Sequence, residues 1–132
     1  MSTPVSIALC QLTAEPYAAE RDREASVAAA RDAFERGADI VVLPEMIVPG
    51  YVADRERLRP LAEPLHGPTV EAWTAVAGEH DGYVAGGFCE RDGDGLYNSA
   101  VLVGPDGLLL HYRKLHLFAA EKHAFARVPQ HN

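Results

Sequence analysis

The sequence predicts an α/β protein in which strands and helices alternate along one continuous chain. Three segments support this class. Residues 5–10 alternate between apolar and small or polar side chains, as a half-buried strand does. Residues 17–36 have an alanine-rich apolar side and a charged side, which is typical of an amphipathic helix. Residues 39–43 are a short apolar run of the kind found in strands covered on both faces.

These three segments form a βαβ unit, whose crossover we expect to be right-handed. Gly37 stands where the end of a helix favours a residue with positive φ. Pro44 ends the second strand, and the pair Pro49-Gly50 marks a turn soon after it.

The rest of the chain continues the α/β pattern. Residues 53–67 are polar and contain prolines, so we interpret them as a surface loop with a short helical piece. Pro68 suits the first turn of a second helix, over residues 69–78. Three further strands are predicted at residues 83–88, 97–103 and 108–112, with a turn or tight loop at 91–95 and a Pro-Asp-Gly turn at 105–107.

Charge and composition narrow the classes of function. The 132 residues carry a formal net charge of −7, which argues against nucleic acid or an anionic membrane as partner because both bind basic patches. No apolar run approaches the roughly 20 residues of a membrane span. The chain also shows no targeting segment at its start and two cysteines without close spacing. We therefore predict a cytoplasmic protein with free thiols.

Two charged residues stand at the ends of predicted strands, where burial is costly unless the charges serve each other or a ligand. Glu45 follows the apolar run that ends at Pro44, and burial there would suit it to act as a base. Lys114 lies between apolar residues after the last strand. The alternatives are a solvent-facing glutamate at the start of a loop and an edge-strand lysine that discourages aggregation.

The histidines and the two cysteines give weaker indications of a functional site. His116 would share a strand face with Lys114, but a structural hydrogen-bonding role is the simpler interpretation. The six histidines show no spacing typical of a metal site. Cys10 fits a small buried apolar residue. Cys89 ends a strand beside charges, yet a glycine-rich turn follows it rather than a nucleophile elbow.

Taken together, the segments resemble the N-terminal half of the nitrilase superfamily of carbon–nitrogen hydrolases. The similarity covers roughly residues 5–125, and its motifs are specific as an ordered set rather than singly. The matching residues are Gln11, the run from Gly37 to Glu45, Gly50-Tyr51, Gly87-Phe88 with Glu90, Tyr97-Asn98-Ser99-Ala100, Gly104-Pro105-Asp106-Gly107, and Tyr112-Arg113-Lys114-Leu115-His116-Leu117-Phe118.

The resemblance implies part of a four-layer α-β-β-α sandwich and a Glu–Lys–Cys catalytic triad. By the match, Glu45 would be the general base and Lys114 would stabilise the tetrahedral oxyanion. Glu121 resembles a second glutamate that many members place near the triad. A thiol would attack an amide, carbamoyl or nitrile carbon and form an acyl-enzyme that water opens. The resemblance implies neither a metal nor an organic cofactor.

The chain departs from the family pattern in two respects: no cysteine follows Lys114, and Ala126-Arg127-Val128 stand where a Pro-Gly is expected. The resemblance therefore implies a truncated domain, in which residues 1–132 are the N-terminal portion and residues 126–132 are a divergent tail. A reading-frame shift, a gene fragment or a shortened expression product would each account for it. We expect no Cys-dependent hydrolysis from this chain and low stability, because half a sandwich exposes apolar surface.

The sequence thus predicts a carbon–nitrogen hydrolase, amidase-like by breadth of the family, whose intact parent acts on a small amide or nitrile. The alternative is a non-catalytic interaction module or a self-associating half-domain. We expect a homo-oligomer in either case. The ranking of amidase, carbamoylase and nitrilase activities stays open at this point, as does the use of Cys89 as a nucleophile.

Overall fold

The computed structural model describes residues 3–128 and confirms the α/β class. The elements in chain order are β1 Ile7–Leu9, α1 Ala19–Glu35, β2 Ile40–Val42, α2 Arg55–Leu58, a 3-10 turn Arg59–Leu61, α3 Pro68–His80, β3 Tyr83–Asp92, β4 Gly95–Gly104, β5 Gly107–Arg113 and α4 Glu121–Ala124.

The five strands form one sheet in the order β1-β2-β3-β4-β5. The first three strands are parallel, and the last two are joined to them as antiparallel hairpins. Because β4 runs opposite to its neighbours, β5 again points the same way as β1, β2 and β3. The carboxyl ends of β2 and β5 therefore lie at one edge of the sheet, together with the start of β4.

Helices α1 and α3 cover one face of this sheet and form the main apolar core with it. Trp73 of α3 is fully buried, and its indole Nε1 donates to the hydroxyl of Ser26 on α1 at 2.9 Å. The ring lies so close to β3 that a Cβ added at Gly86 would be 2.7 Å from it. This contact explains why β3 carries a glycine where an apolar strand would otherwise carry a side chain.

The opposite face of the sheet is apolar and open to solvent. Leu9 of β1 is 75% exposed and Leu110 of β5 is 66% exposed, and Ile7 and Tyr112 are also exposed. The register places these residues in rows that cross the sheet on a single face. An antiparallel or mixed sheet with one open face usually carries polar residues there, so exposed apolar side chains in these rows are unusual for a face in contact with water.

Most observed bounds lie within two residues of the predicted ones, and the main differences concern β1, β3 and α4. Strand β1 is shorter than residues 5–10. Strand β3 is longer than residues 83–88, because antiparallel pairing with β4 continues up to Asp92↔Gly95. The turn between β3 and β4 is therefore shorter than the predicted residues 91–95, and Gly93 in this turn has φ +58°. Helix α4 was not predicted, since a four-residue helix leaves no apolar period to detect.

The predicted divergent tail, residues 126–132, is described only in part. The backbone N–H of Ala126 donates to the carbonyl of Leu96 at 2.7 Å, which attaches the chain after α4 to the start of β4. Residues 129–132 lie outside the described residues.

Within residues 3–128, none of the helices has both the length and the apolar character needed to cross a membrane.

We predict that the open apolar face causes concentration-dependent self-association. Replacing both Leu9 and Leu110 by threonine keeps strand propensity but removes apolar area, so the double variant should sediment as a smaller species than the original chain. Phe118→Ser is the control, because Phe118 is equally exposed but lies outside the sheet. Analytical ultracentrifugation over a concentration series checks this. A monomeric original chain at every concentration would contradict the prediction.

Candidate functional site

Glu45 lies just beyond the carboxyl end of β2, where open α/β sheets commonly build their sites. The chain there is tied to β3 by two backbone hydrogen bonds, from Gly87 N–H to the carbonyl of Pro44 at 3.3 Å and from Cys89 N–H to the carbonyl of Val48 at 3.0 Å. These bonds hold the turn that carries Glu45 against the middle of the sheet.

A close backbone approach fixes this turn further. A Cβ added at Gly87 would lie 2.6 Å from the backbone nitrogen of Met46 and 3.0 Å from the Cα of Glu45. Met46 itself is buried and has φ +50°, a left-handed conformation that a side-chain-bearing residue adopts at some cost. The surrounding packing therefore imposes the conformation in which Glu45 is presented.

Lys114 follows β5 at the same edge of the sheet. Its backbone N–H donates to the carbonyl of Asn98 at 2.8 Å, which extends the β4–β5 ladder by one residue. Its ammonium Nζ lies 2.9 Å from Glu45 Oε2 and 2.9 Å from Glu121 Oε1. The structure thus brings together the three residues that the sequence analysis singled out.

Glu121 is the first residue of α4, and its side chain is only 3% exposed. Its Oε1 accepts from the Tyr51 hydroxyl at 2.8 Å and from the backbone N–H of Phe118 at 3.1 Å, as well as from Lys114. The bond from Phe118 fixes the chain at the start of α4, and the helix places the buried carboxylate of Glu121 beside the Lys114 ammonium.

Asn98 completes the cluster; the sequence analysis named it only as part of a matching motif and gave it no role at the site. From β4, its side-chain Nδ2 donates to Glu45 Oε2 at 2.9 Å and to Glu121 Oε2 at 3.0 Å. One amide therefore bridges both carboxylates that contact the ammonium. The available signal was the resemblance itself, because Asn98 and Tyr51 both belong to its matching motifs.

The charges of the cluster are strongly coupled. Hydrogen bonding to Glu45, and then to Glu121, outweighs desolvation and raises the pKa of Lys114 above its ordinary value. For Glu121, burial favours the neutral acid, but hydrogen bonds from Lys114, Asn98, Tyr51 and the backbone of Phe118 outweigh burial and lower the pKa to about 2. Both groups are therefore ionised at neutral pH. The hydrogen bond to Glu121 also raises the pKa of the Tyr51 hydroxyl.

A cavity of about 400 Å³ opens beside the cluster on the uncovered face of the sheet. Its walls are mostly apolar, and Glu45, Asn98 and Lys114 supply the polar groups. A larger cavity of about 740 Å³ is lined by Glu90, His111 and Arg113 but by none of these three residues. The smaller cavity is the candidate site, because a carboxylate and an ammonium converge on open space there and not in the larger one.

Neither cysteine has the surroundings of a reactive thiol. Cys89 is buried in a small apolar cluster, and burial together with the nearby charges of Glu63 and Glu90 raises its pKa to about 12. Burial and the charge of Asp32 also raise the pKa of Cys10. A nucleophilic thiolate requires a lowered pKa, so both thiols stay protonated at neutral pH.

The described part of the chain, residues 3–128, has no group of three or more His, Cys, Asp or Glu side chains that could hold a metal ion. His116 is exposed and has an interaction of its own.

Comparison with known proteins gives a consistent assignment. Residues 6–131 match the family model described as carbon–nitrogen hydrolase. A nitrilase of Pyrococcus abyssi is 37% identical over 123 residues, which are 92% of this chain and 47% of the relative. An (R)-stereoselective amidase of Pseudomonas sp is 40% identical over 88 residues, covering 67% of this chain and 32% of the relative. The chain thus spans about half or less of the length of the relatives it matches.

Solved structures agree with this result. A Xanthomonas campestris protein of the CN-hydrolase superfamily, with an arsenic adduct in its active site, superposes with a TM-score of 0.80 at 27% identity. The match covers 94% of this chain and 46% of that one. The α/β architecture described above is therefore the architecture of that superfamily over almost the whole of this chain.

We predict that Gly87→Ala displaces Glu45 from Lys114, because the added methyl group meets backbone atoms of Met46 and Glu45. The chain has two lysines, Lys114 and Lys122, so lysine labelled with ¹³C and ¹⁵N gives one signal from the site and one internal reference. The Lys114 signal should move and its Nζ protons should exchange faster with water, while the Lys122 signal stays in place.

Gly86→Ala is the matched control, because it adds the same methyl group on the opposite face, against Trp73. Both variants should lose about 1–3 kcal/mol of stability through overpacking. Only Gly87→Ala should change the Lys114 signal. Equal Lys114 spectra in the two variants would show that the close approach at Gly87 does not position Glu45.

We predict that Glu121 stabilises the fold in a pH-dependent way. Its pKa is about 2 in the folded chain and 4.5 ordinarily, so the folded state binds fewer protons between these values. The stabilisation is fully present above about pH 4.5 and is lost as the pH falls through about 2. Glu121→Gln should therefore cost about 2 kcal/mol near pH 6 and progressively less towards pH 2.

Urea unfolding followed by fluorescence of Trp73, the single tryptophan, measures this difference at each pH. Glu56→Gln replaces an exposed carboxylate on α2 and serves as control. A cost of Glu121→Gln that stays constant over the whole pH range would mean that ionisation of Glu121 does not contribute.

Proposed function

This chain belongs to the carbon–nitrogen hydrolase family, and we propose that Glu45, Lys114 and Glu121 form the charged part of its hydrolytic site. The observation that carries the proposal is the position of the Lys114 ammonium, 2.9 Å from a carboxylate oxygen of each glutamate. The cluster faces a cavity of about 400 Å³ that is large enough for a small amide.

Glu45 is the general base in this proposal. Its side chain is 47% exposed, whereas that of Glu121 is buried. Both hydrogen bonds described for its carboxylate use Oε2, from Lys114 and from Asn98. Oε1 is then the oxygen that can take a proton from an attacking group and later return it to the leaving amine.

Lys114 is the oxyanion-stabilising group. Its raised pKa keeps the ammonium charged at neutral pH, so it suits electrostatic stabilisation and not attack as a free amine. A lysine ammonium has three N–H donors, and two of them go to Glu45 and Glu121. The third can bind the carbonyl oxygen of a substrate as negative charge develops on it.

Glu121 has a supporting role. A carboxylate with a pKa of about 2 does not exchange protons efficiently at neutral pH, so it is a poor general acid or base. Its permanent charge instead keeps the lysine protonated and orients it. The two glutamates therefore differ in role because they differ in burial and in the number of hydrogen bonds they accept.

The nucleophile in the proposed reaction is a thiol. With Glu45 as base, the thiolate adds to the substrate carbon, the C–N bond breaks and the amine leaves with the proton that Glu45 returns. Water then opens the thioester and releases the acid. Cys89 and Cys10 both have raised pKa values, so we propose that the thiol comes from polypeptide other than residues 1–132.

The proposed substrate class is a small amide or a related carbamoyl or nitrile compound. Two relatives that resemble this chain carry the names nitrilase and (R)-stereoselective amidase. Attack on an amide carbonyl places negative charge on its oxygen, which the Lys114 ammonium can stabilise. A nitrile has no such oxygen, so the ammonium favours amides as substrates.

The open sheet face favours a second candidate function, a non-catalytic module that binds another polypeptide or a second copy of itself. The exposed apolar residues Leu9, Leu110 and Tyr112 support it. The sedimentation experiment with the threonine double variant tests this candidate, and a defined oligomer would favour it over non-specific aggregation.

We predict that the 132-residue chain alone does not hydrolyse small amides. A chimera that joins residues 1–128 to the remaining part of the Pyrococcus abyssi relative should do so, because the other half of that protein then completes the site. In the chimera, Glu45→Gln and Lys114→Met should each lower kcat by about a hundredfold or more.

Lys122→Met is the matched control, because it removes the only other lysine from an exposed position next to the site. Its kcat should equal that of the chimera. Amide turnover by the isolated chain that disappears with Glu45→Gln would overturn the assignment of the thiol. Full activity of the Lys114→Met chimera would overturn the role of the ammonium.

A further inference from the structure

We propose that Glu90 is a positioning residue for Lys114: with Arg113 it fixes the end of β5 from the opposite face of the sheet and so sets where the ammonium lies. The proposal rests on the function proposed above for Lys114. Its main observations concern Glu90 and Arg113, which neither line the cavity of about 400 Å³ nor bond to the carboxylates of Glu45 and Glu121.

Glu90 is a buried carboxylate, with a side chain that is only 3% exposed. Arg113 donates hydrogen bonds to both carboxylate oxygens, from Nε to Oε1 at 3.0 Å and from Nη2 to Oε2 at 2.8 Å. Oε1 also accepts from the Ser99 hydroxyl at 2.7 Å and contacts His111 Nε2 at 2.8 Å. Burial alone would raise the pKa of Glu90, but these partners outweigh it and lower the pKa, so the group stays ionised.

The ion pair spans three strands. Glu90 belongs to β3, Ser99 to β4 and Arg113 to β5, and the register places Ser99 directly between Phe88 of β3 and Arg113. Strand β5 is the last strand of the sheet, so only β4 pairs with it. The bidentate contact therefore ties an edge strand to the sheet interior at its final residue.

This final residue directly precedes Lys114. Successive side chains of a strand point to opposite faces, so Arg113 holds β5 on one face while Lys114 reaches the cluster on the other. The backbone N–H of Lys114 makes the last hydrogen bond of the ladder, to the carbonyl of Asn98. A shift of Arg113 would also shift the Cα of the next residue, Lys114. The Lys114 ammonium lies 2.9 Å from each of two carboxylates, so a small shift would lengthen both contacts.

A contribution to folding stability does not by itself explain the buried Glu90–Arg113 ion pair. Replacing a buried ion pair by uncharged groups of similar size is often neutral or stabilising, because desolvation offsets the attraction between the charges. What the pair provides is a unique geometry. The Arg113 guanidinium also lies 3.9 Å over the ring of Tyr97, which restricts its plane as well as its position.

The test uses the two-lysine spectrum of the full chain and needs no hydrolysis. In Glu90→Gln, the Nζ protons of Lys114 should exchange with water about tenfold faster, because the ammonium loses its fixed contacts to Glu45 and Glu121. The Lys122 signal is the internal reference and should not change. Lys114 exchange that stays at the original rate in a folded Glu90→Gln variant would overturn the proposal.

Two further variants keep the test decisive. Asp92→Asn removes a contact of 3.0 Å to the same guanidinium from an exposed carboxylate, and it should leave Lys114 unchanged. If Glu90→Gln unfolds, as judged by Trp73 fluorescence, the double variant E90Q/R113M leaves no unpaired buried charge and keeps the packing on Tyr97. It should show the same faster exchange at Lys114, and an unchanged rate there would equally overturn the proposal.

The outcome is separate from that of the function experiment. If Lys114→Met leaves the chimera fully active, the role of the ammonium fails, whatever Glu90 does. If Lys114→Met inactivates the chimera but Glu90→Gln leaves the Lys114 signal unchanged, only the positioning role of Glu90 fails.

Discussion

The ammonium of Lys114 meets two carboxylates that come from distant parts of the chain, Glu45 after β2 and Glu121 in α4. The buried carboxylate of Glu121 would be costly to leave unpaired, and Lys114 is mostly buried beside it, whereas Glu45 is about half exposed. The sheet must therefore bring the ends of β2 and β5 to one edge, and α4 must close over them. Most features of this edge serve that requirement, from the glycine at position 87 to the left-handed Met46.

The two faces of the sheet have different tasks. The face under α1 and α3 contains the main core and, beyond it, the Glu90–Arg113 pair. The other face carries exposed apolar rows and the cavity beside Lys114. A site at the rim of an uncovered apolar face becomes enclosed only when another polypeptide lies over that face. Enclosure would also strengthen its electrostatic interactions by excluding water.

Burial and hydrogen bonding differ among the charged residues of the cluster, and their charge and exposure differ as a result. Glu121 accepts several hydrogen bonds in a dry position and remains a fixed anion, and Lys114 remains a fixed cation between two carboxylates. Glu45 is more exposed, with 47% of its side chain in contact with solvent. The same contrast applies to Cys89, whose pKa is raised because it lies buried in an apolar cluster near the carboxylates of Glu63 and Glu90.

The sequence by itself determined the α/β class, the βαβ unit, the second helix and the hairpin at Pro105-Asp106-Gly107, because apolar periodicity and turn residues act locally. It also singled out Glu45, Lys114 and Glu121, two of them as charges at strand ends and the third by resemblance. Only the tertiary structure decided that Asn98 bridges the two carboxylates and that Glu90 holds Arg113 from the reverse face. These contacts depend on strand order and register, which join residues far apart in the chain and leave no period or spacing in the sequence to indicate them.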